Sequence, residues 1–423
     1  MPVTVAAHRR HPEFLPLIVL GIATGAIDVR IVQVWAWPAA VVGLWFAATA
    51  LLIAVAAVRL QALSAVCAVA AASLYAVPIA GAILRWHLHP GKTALIGDGA
   101  LQMQLAGDFL LKRVDPYGAD YARAGLGAAP WAEPFPSPAL HHLVTWPGQY
   151  LWSLPLQAVG RLAGWWDERM YLLIAAAVIW WLLITLFPGT AGWVAASAFF
   201  LIPGHSLVAV LGDNDLPMLA LVLAALLAAD RRRFLLMGLL MGLAVVTKQH
   251  GALAVPLILA WAAVRGIDVG TLLKAAVTGG LAALAVLTPF VIWNAGAFIQ
   301  DTVVFLAGSG VDAYPINGYG LSAFLLSSGV IHGPRDAFPF FVLEIAAGAS
   351  LWAIGWRWIR ARRRLADVVV LMGITMLAVL YVSRYFHDSH LLLGSELILT
   401  GVVAALGGQA RATRSEPLAG RAA

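Results

Sequence analysis

The sequence predicts an all-α protein, a polytopic bundle of about 11 to 13 transmembrane helices, and its composition and its long apolar stretches predict this class. Of the 423 residues, 61% are hydrophobic and 11% are charged, and the mean hydropathy is +0.86. About a quarter of the residues in a soluble domain are charged. Several charge-free stretches also reach the roughly 20 residues that a helix needs to cross a bilayer. The composition therefore excludes a soluble globular protein.

Apolar stretches bounded by charges or prolines mark the candidate spans, with ends placed to within a few residues. The spans are expected at 14–34, 38–58, 63–84, 143–163, 170–187, 190–209, 215–230, 234–250, 251–265, 275–293, 338–356, 367–383 and 390–407. Two tripeptides, Trp146-Pro147-Gly148 and Phe187-Pro188-Gly189, are typical helix breaks. One helix between 143 and 212 is therefore expected to be short, broken or half-inserted.

Clusters of arginine predict the orientation of the bundle, because cytoplasmic loops carry an excess of basic residues. The clusters are Arg9 with Arg10, Arg231 to Arg233, and Arg357 with Arg360 and Arg362 to Arg364. With these ends inside, four segments fall on the outer face: 86–142, the 212–215 turn, the 294–337 loop and the 384–389 turn. We expect a single transmembrane domain over 1–407, whose first helix is retained, and a disordered cytoplasmic tail over 408–423.

The outer segment 86–142 is a long polar stretch between strongly apolar helices, where a membrane enzyme would meet its substrate. Asp98 precedes Leu101, Leu105 and Phe109, which are spaced by four residues. This spacing predicts that Asp98 is the N-cap of an amphipathic helix on the membrane surface. A carboxylate in a rigid, partly dry pocket can also act as a general base. The sequence is consistent with either role for Asp98, helix cap or general base.

The same segment carries further candidates for a substrate site. They are Asp108, Asp115, Tyr117, His141 and His142, and a proline-rich stretch over 130–138 fixes the shape of the loop between them. Adjacent histidines seldom point to one centre, and no acidic residue or cysteine lies at ligand spacing from them. The sequence therefore indicates no metal. The single cysteine, Cys67, excludes an intrachain disulfide.

Charged residues at three helix ends are expected on the same face. Asp215 is a good N-cap in the Gly212 to Pro217 turn, and Asp213 is a second acidic group that capping does not require. Further candidates to hold a phosphate or pyrophosphate are Lys248, Gln249 and His250, followed by Arg384 and His387. Snorkelling of Lys248 and interfacial anchoring of Arg384 are the structural alternatives.

Taken together, these residues resemble the class C glycosyltransferases, multispanning enzymes that use polyprenyl-phosphate-linked sugars on the outer side of the membrane. The resemblance rests on Asp98, on Asp115-Pro116-Tyr117, on the Asp213/Asp215 turn, on the segment from Gly242 to Gln249 and on the turn from Arg384 to His387. Many members carry a paired acidic motif in the first loop. In this chain Asp98 is followed by Gly99, and its nearest acidic companion is Asp108, so a divalent metal is not implied.

The resemblance implies an inverting glycosyltransferase without a cofactor, in the inner (plasma) membrane, with its active site on the extracytoplasmic face. Asp98 would deprotonate the acceptor, and Lys248, Gln249 and Arg384 would hold the leaving polyprenyl phosphate. The partners would be the lipid-linked donor, a lipid or glycan acceptor and membrane lipids, with no nucleic acid. The bias of Arg over Lys indicates a high-GC bacterium such as an actinobacterium, where related enzymes build mannose- or arabinose-containing glycans.

A secondary transporter or flippase is the alternative from another functional class, because intramembrane charges and broken helices also mark substrate pathways. The sequence has no internal inverted repeat, and the candidate charges gather at one face rather than at the midplane. These two observations favour the enzyme.

Overall fold

The computed structural model describes residues 14–34, 45, 63–88, 96–128, 140–308 and 313–415. The described part is a helical bundle, which confirms the predicted all-α class. Its α-helices are α1 Phe14–Val34, α2 Leu63–Leu88, α3 Asp98–Leu111, α4 Gly148–Leu151, α5 Leu154–Leu162, α6 Glu168–Leu186, α7 Thr190–Phe200, α8 His205–Leu211, α9 Leu216–Asp230, α10 Phe234–Thr247, α11 Val255–Val264, α12 Val269–Ile299, α13 Leu321–Ser327, α14 Phe340–Arg362, α15 Leu365–Tyr381 and α16 Asp388–Ser415.

Short irregular elements complete the described chain. They are 3₁₀-helices at Leu126–Ala128 and Gln249–Ala254, a π-helix at Gln300–Val304, and two strands, β1 Asn317–Gly318 and β2 Tyr385–Phe386. The two strands pair in parallel, with Asn317 opposite Tyr385 and Gly318 opposite Phe386. This pairing joins the loop after the π-helix to the turn before α16.

Five helical segments of the described part are long and apolar enough to cross a membrane. They are Val69–Leu88, Glu168–Leu186, Val269–Val304, Phe340–Arg362 and Asp388–Gly407. The pair α7 and α8 gives a sixth candidate, bent by 63° at its break. Several further helices, such as α9 and α15, are apolar but shorter than 18 residues. The chain is therefore a multi-pass membrane protein.

The predicted irregularity between 143 and 212 is present. The proposed span 143–163 is wrong, because the chain forms only α4 and α5 there, after Trp146 and Pro147. The break at Phe187 to Gly189 is confirmed: α6 ends before Phe187, and Gly189 has a positive φ of 75° that suits glycine. The proposed span 190–209 is also divided, between Phe200 and His205.

Two other boundaries differ from the expectation. The outer loop predicted from 294 begins later, because α12 and the π-helix continue to Val304, although Asn294 has non-helical dihedral angles. The last helix runs to Ser415, so residues 408–415 of the predicted disordered tail are helical. The span 38–58 except Trp45, the proline-rich stretch 130–138 and residues 416–423 lie outside the described residues.

Close helix packing in the bundle depends on small residues. A Cβ on Gly242 in α10 would collide with the carbonyl of Gly279 in α12, and one on Gly238 would collide with the carbonyl of Ala275. Small residues at helix contacts allow this close approach inside a membrane. The packing fixes the position of α10, and with it the position of Lys248 at its end.

Candidate active site

A polar cavity of about 380 Å³ lies where the start of α3, the turn before α9, the end of α10 and the turn before α16 meet. Backbone and side-chain atoms of 20 residues line it. Its polar and charged members are Asp98, Gln102, Thr145, Asp213, Asn214, Lys248, Gln249, Tyr314, Asn317, Tyr385, His387, Asp388, Ser389 and His390. All four predicted outer segments thus contribute to one volume.

Asp98 borders this cavity as the first residue of α3, and its predicted place as the N-cap is wrong by one residue. Gly97 is the N-cap, and Asp98 Oδ1 accepts a hydrogen bond of 2.8 Å from the backbone N–H of Gly99. The backbone N–H of Gly97 donates to the carbonyl of Leu211. This bond holds the start of α3, and therefore Asp98, against the turn that carries Asp213.

The expectation that α3 lies on the membrane surface is also wrong. Five consecutive residues, Ala100 to Gln104, are buried, so this part of the helix is enclosed on all sides. The reason is that α3 packs against α4, α5 and α6. The carboxylate at its start is consequently fixed by the bundle and not by the lipid interface.

The Asp213/Asp215 turn presents two carboxylates with different surroundings. Asp215 is the N-cap of α9, as predicted, but its side chain makes no capping hydrogen bond. Instead, Asp215 Oδ1 lies 2.7 Å from the Lys248 ammonium. Burial acts to raise the pKa of Asp215, but the charge of Lys248 and the contact with His250 together outweigh it and hold the pKa below its ordinary value. Burial and the neighbouring Asp215 charge raise the pKa of Asp213.

Lys248 is held by two residues of that turn. Its ammonium donates a 2.7 Å hydrogen bond to Asn214 Oδ1, in addition to the ion pair with Asp215. Its side chain is only 15% exposed, which is incompatible with a lysine that snorkels to water. An ammonium has three N–H donors, so one remains for an anion in the cavity.

His387 and Gln249 also line the polar cavity, whereas His250 lines a neighbouring cavity. The backbone N–H of His387 lies 3.2 Å from His390 Nδ1, and burial lowers the pKa of His387. His250 is buried with its Nδ1 3.8 Å from Asp215 Oδ1. His250 therefore borders the Asp215 carboxylate, and Gln249 faces the open volume.

A second cavity of about 410 Å³ adjoins the first, and more of its lining side chains are apolar. Its wall includes Leu253, Leu306, Phe338, Phe340 and Phe341. Gln249 and Tyr385 line both cavities. The site therefore consists of a polar chamber and an apolar groove that meet at two residues.

Arg384 lines the apolar groove, but its environment differs from the expected anion seat. Its guanidinium donates to the backbone carbonyls of Tyr314, Pro334 and Asp336. Burial lowers its pKa. Since three of its five N–H groups are occupied by these carbonyls, Arg384 mainly holds the loop over the site.

Two predicted residues of the outer segment lie outside the cavity wall and bind other parts of the protein. Asp108 pairs with Arg161, and it also accepts a 2.8 Å hydrogen bond from Gln157. Asp115 accepts hydrogen bonds from the backbone of Tyr117 and from the Asn294 side chain. These contacts fasten the outer segment to α5 and α12.

The other three predicted residues of this segment also line neither cavity. Tyr117 is buried, and its hydroxyl donates to the carbonyl of Thr145. His141 is 69% exposed, with Nδ1 3.8 Å from Asp120. His142 Nδ1 lies 2.8 Å from Asp301 Oδ1, and its ring stacks on Phe305. The two histidines thus point to different partners.

No role for Asp301, His205, Asn214, Tyr314 or Glu396 was predicted from the sequence. Asp301 accepts a hydrogen bond from the backbone N–H of Leu143, which lies 158 residues earlier. No local sequence pattern predicts such a pair. Glu396, by contrast, is an ionisable residue inside a predicted span, and such residues are rare unless they are functional. That rule would have found Glu396.

Comparisons with known proteins identify the family. The sequence profile of glycosyltransferase family 87 matches residues 147–383, more than half of the chain. The matched region includes Asp213, Asp215 and Lys248, whereas Asp98 and His387 lie outside it. No match was found among curated proteins or among solved structures. The match confirms the resemblance to class C enzymes, and the chain belongs to glycosyltransferase family 87, a family of membrane glycosyltransferases of the GT-C type.

Proposed function

We propose that this enzyme transfers a sugar from a polyprenyl-phosphate donor to a hydroxyl of a lipid or glycan acceptor, with inversion at the anomeric carbon. The sugar is of the mannose or arabinose type, and the reaction takes place on the extracytoplasmic side of the inner membrane. The alternative of a transporter or flippase falls away, because the family consists of glycosyltransferases.

The observation that carries this proposal is the junction of the two cavities. An isoprenoid phosphate has an apolar chain and a charged head. Its binding site therefore needs an apolar groove that adjoins a polar chamber. The apolar groove supplies Leu306, Phe338 and Phe341, and the polar chamber supplies Asp98 and Lys248. Gln249 and Tyr385 stand at the boundary, where the phosphate would lie.

In this arrangement Lys248 and Gln249 bind the phosphate of the donor. The Lys248 ammonium is oriented by Asn214 and Asp215, so it is fixed before the substrate arrives. Such preorganised charge is a main source of transition-state stabilisation in enzymes. We assign Arg384 a positioning role in place of a direct phosphate contact, because its donors already bind loop carbonyls.

The chemical step is a single displacement. The acceptor hydroxyl oxygen forms a bond to the anomeric carbon while the bond from that carbon to the phosphate oxygen breaks. Asp98 takes the hydroxyl proton as general base, and polyprenyl phosphate leaves with the bonding electron pair. A direct displacement inverts the configuration, and no covalent enzyme intermediate forms.

The test is turnover by the purified full-length protein in lipid nanodiscs, with a panel of radiolabelled polyprenyl-phosphate sugars and membrane acceptors. We expect Asp98→Asn to lower turnover by about 10²- to 10⁴-fold, the usual contribution of a general base. Asparagine keeps nearly the shape of aspartate and its hydrogen-bonding oxygen, so the fold is retained. Asp120→Asn is the matched control, because Asp120 lies in the same outer segment but away from both cavities.

Equal turnover by the native protein and Asp98→Asn would refute the role of Asp98. Turnover by the native protein on nucleotide sugars, but on none of the polyprenyl-phosphate sugars, would refute the donor class.

A further inference from the structure

Behind the polar chamber, three metal-ligating side chains from distant parts of the chain converge. His205 begins α8, Asp213 lies in the turn after it, and Glu396 lies in α16. One ring nitrogen of His205 and one oxygen from each carboxylate lie within 4.8 Å of one another. All three residues are buried, with exposed fractions of 0%, 5% and 1%. We propose that this cluster binds a divalent transition-metal ion of the Zn²⁺ or Mn²⁺ kind.

Among the described residues the His205 ring makes one hydrogen bond, with the carbonyl of Phe199, which leaves its second nitrogen and Glu396 Oε1 without a hydrogen-bond partner. Nδ1 lies 3.1 Å from the carbonyl oxygen of Phe199 and 3.2 Å from Glu396 Oε1. A carbonyl can only accept, so Nδ1 carries the proton. Nε2 then has a lone pair, and it is buried without a hydrogen-bond partner among the described residues. Metal-binding histidines commonly use one nitrogen for the metal and donate the other N–H to a carbonyl or carboxylate.

A fourth polar group faces the cluster. Tyr75 of α2 is 3% exposed, and its ring packs against the His205 ring with centroids 4.7 Å apart. Its hydroxyl has no hydrogen-bond partner among the described residues, and it lies within electrostatic range of Asp213 and Glu396. An unpartnered buried hydroxyl costs free energy. A bound metal ion, or water on that ion, would satisfy it.

Charge balance favours a cation at this place. Two buried carboxylates are costly without a counter-charge. The Lys248 ammonium on the same side of the molecule is bound to Asp215 and Asn214. A divalent ion would neutralise Asp213 and Glu396 directly. An imidazole with two carboxylates suits Zn²⁺ or Mn²⁺ better than Ca²⁺ or Mg²⁺, which prefer oxygen ligands alone.

The location gives the ion an entry path and a role. Asp213 also lines the polar cavity, so a metal ion can reach the cluster from that side. Once bound, the ion would join α8, the Asp213 turn and α16. This turn also carries Asn214 and Asp215, which orient Lys248. The metal ion would therefore fix the wall of the chamber without contacting the reacting atoms.

The test measures metal content, so it is independent of any activity. The full-length protein is purified in lipid nanodiscs through a tag that binds no metal, incubated with Zn²⁺ or Mn²⁺, passed over a desalting column and analysed by mass spectrometry of the elements. We expect about one metal ion per chain in the native protein and less than about a tenth of that in Glu396→Gln. Glu344→Gln is the matched control, since Glu344 lies in another membrane helix, and it keeps the metal.

A second measurement uses only the native protein, so it remains valid if Glu396→Gln fails to fold. The native protein is stripped with a chelator, and its thermal unfolding is followed as Zn²⁺ or Mn²⁺ is returned. We expect the melting temperature to rise and to saturate, because an ion that binds only the folded state stabilises it. The proposal would be overturned by a native protein that retains less than about a tenth of an equivalent of either metal and shows no such rise. The buried carboxylates would then be neutralised by protons and not by a metal ion. Equal metal content in the native protein and Glu396→Gln would overturn the proposal as well.

Discussion

The carboxylates of the cavity wall and those beneath the outer segment belong to the same residue types but have opposite surroundings. Beneath the outer segment, Asp301 binds His142 and the backbone of Leu143, and Asp167 binds Arg169 through both oxygens. On the cavity wall, Asp98 and Asp213 border an open volume of about 380 Å³. The difference shows that the surroundings of an aspartate, and not its residue type, separate those that hold the fold from those that border the candidate site.

The largest loss of stability is expected when Arg169 is replaced. Arg169 is fully buried, and its guanidinium pairs with Asp167 at 2.7 Å and donates to the carbonyl of Val210. Arg169→Met would leave the buried Asp167 carboxylate with only His87, 3.4 Å away, as a basic partner, at a cost of about 3–5 kcal/mol. We expect a strong fall in the melting temperature in nanodiscs. The exposed Arg123→Met is the control and should melt like the native protein; a normal melting temperature for Arg169→Met would contradict the assignment.

The next effect concerns Asp301. Asp301→Ala removes the acceptor of the buried Leu143 N–H, and an unsatisfied buried donor costs about 1–3 kcal/mol. Since Val144 and Thr145 line the polar cavity, we also expect KM for the acceptor to rise. The measurement pairs thermal unfolding with steady-state kinetics. Asp301→Asn keeps an oxygen acceptor and should lose less stability; equal losses would show that the Leu143 bond is unimportant.

For Gln249, on the cavity wall, we expect the opposite pattern, a loss of turnover without a loss of stability. Gln249→Leu keeps the size of the side chain at the junction of the two cavities but removes its polar group. We expect turnover to fall about tenfold, the value of one hydrogen bond to a ligand, with little change in melting temperature. Gln300→Leu changes an exposed glutamine outside both cavities and should leave turnover intact. A fall in stability without a fall in turnover would move Gln249 to the structural group.

The smallest effect is expected at Arg161. Its ion pair with Asp108 is partly exposed, and Asp108 keeps a hydrogen bond from Gln157 when the arginine is removed. Arg161→Ala should therefore cost at most about 1 kcal/mol, and less in high salt. Chemical denaturation at two salt concentrations measures this. A loss that is large and independent of salt would show that the pair is effectively buried.

The sequence predicted the membrane bundle and the helix breaks well, because both depend on local composition. Long apolar stretches become helices, and Phe187-Pro188-Gly189 ends one of them. The arginine clusters placed the outer segments on one face, and the structure brings Asp98, Asp213, Lys248 and His387 to one cavity. These features need no knowledge of which helix packs against which.

The remainder of the site depends on contacts between distant residues, which local patterns do not record. Asp215 is at the N-cap position, as capping rules predict, but its side chain binds Lys248, because burial next to a cation outweighs capping. The pairing of His142 with Asp301 and the contacts of Arg384 with loop carbonyls likewise arise only when the bundle closes. Such partners become visible only in three dimensions.

The way in which Arg384 holds its loop has an evolutionary consequence. All three of its described hydrogen bonds go to backbone carbonyls, at Tyr314, Pro334 and Asp336, and the adjacent β1 to β2 pairing is also a backbone contact. Side chains in the loop can therefore change while the contacts that fix its path remain. Since Asn317 of this loop lines the polar cavity, acceptor preference could diverge among descendants of this enzyme through loop substitutions, without a new fold.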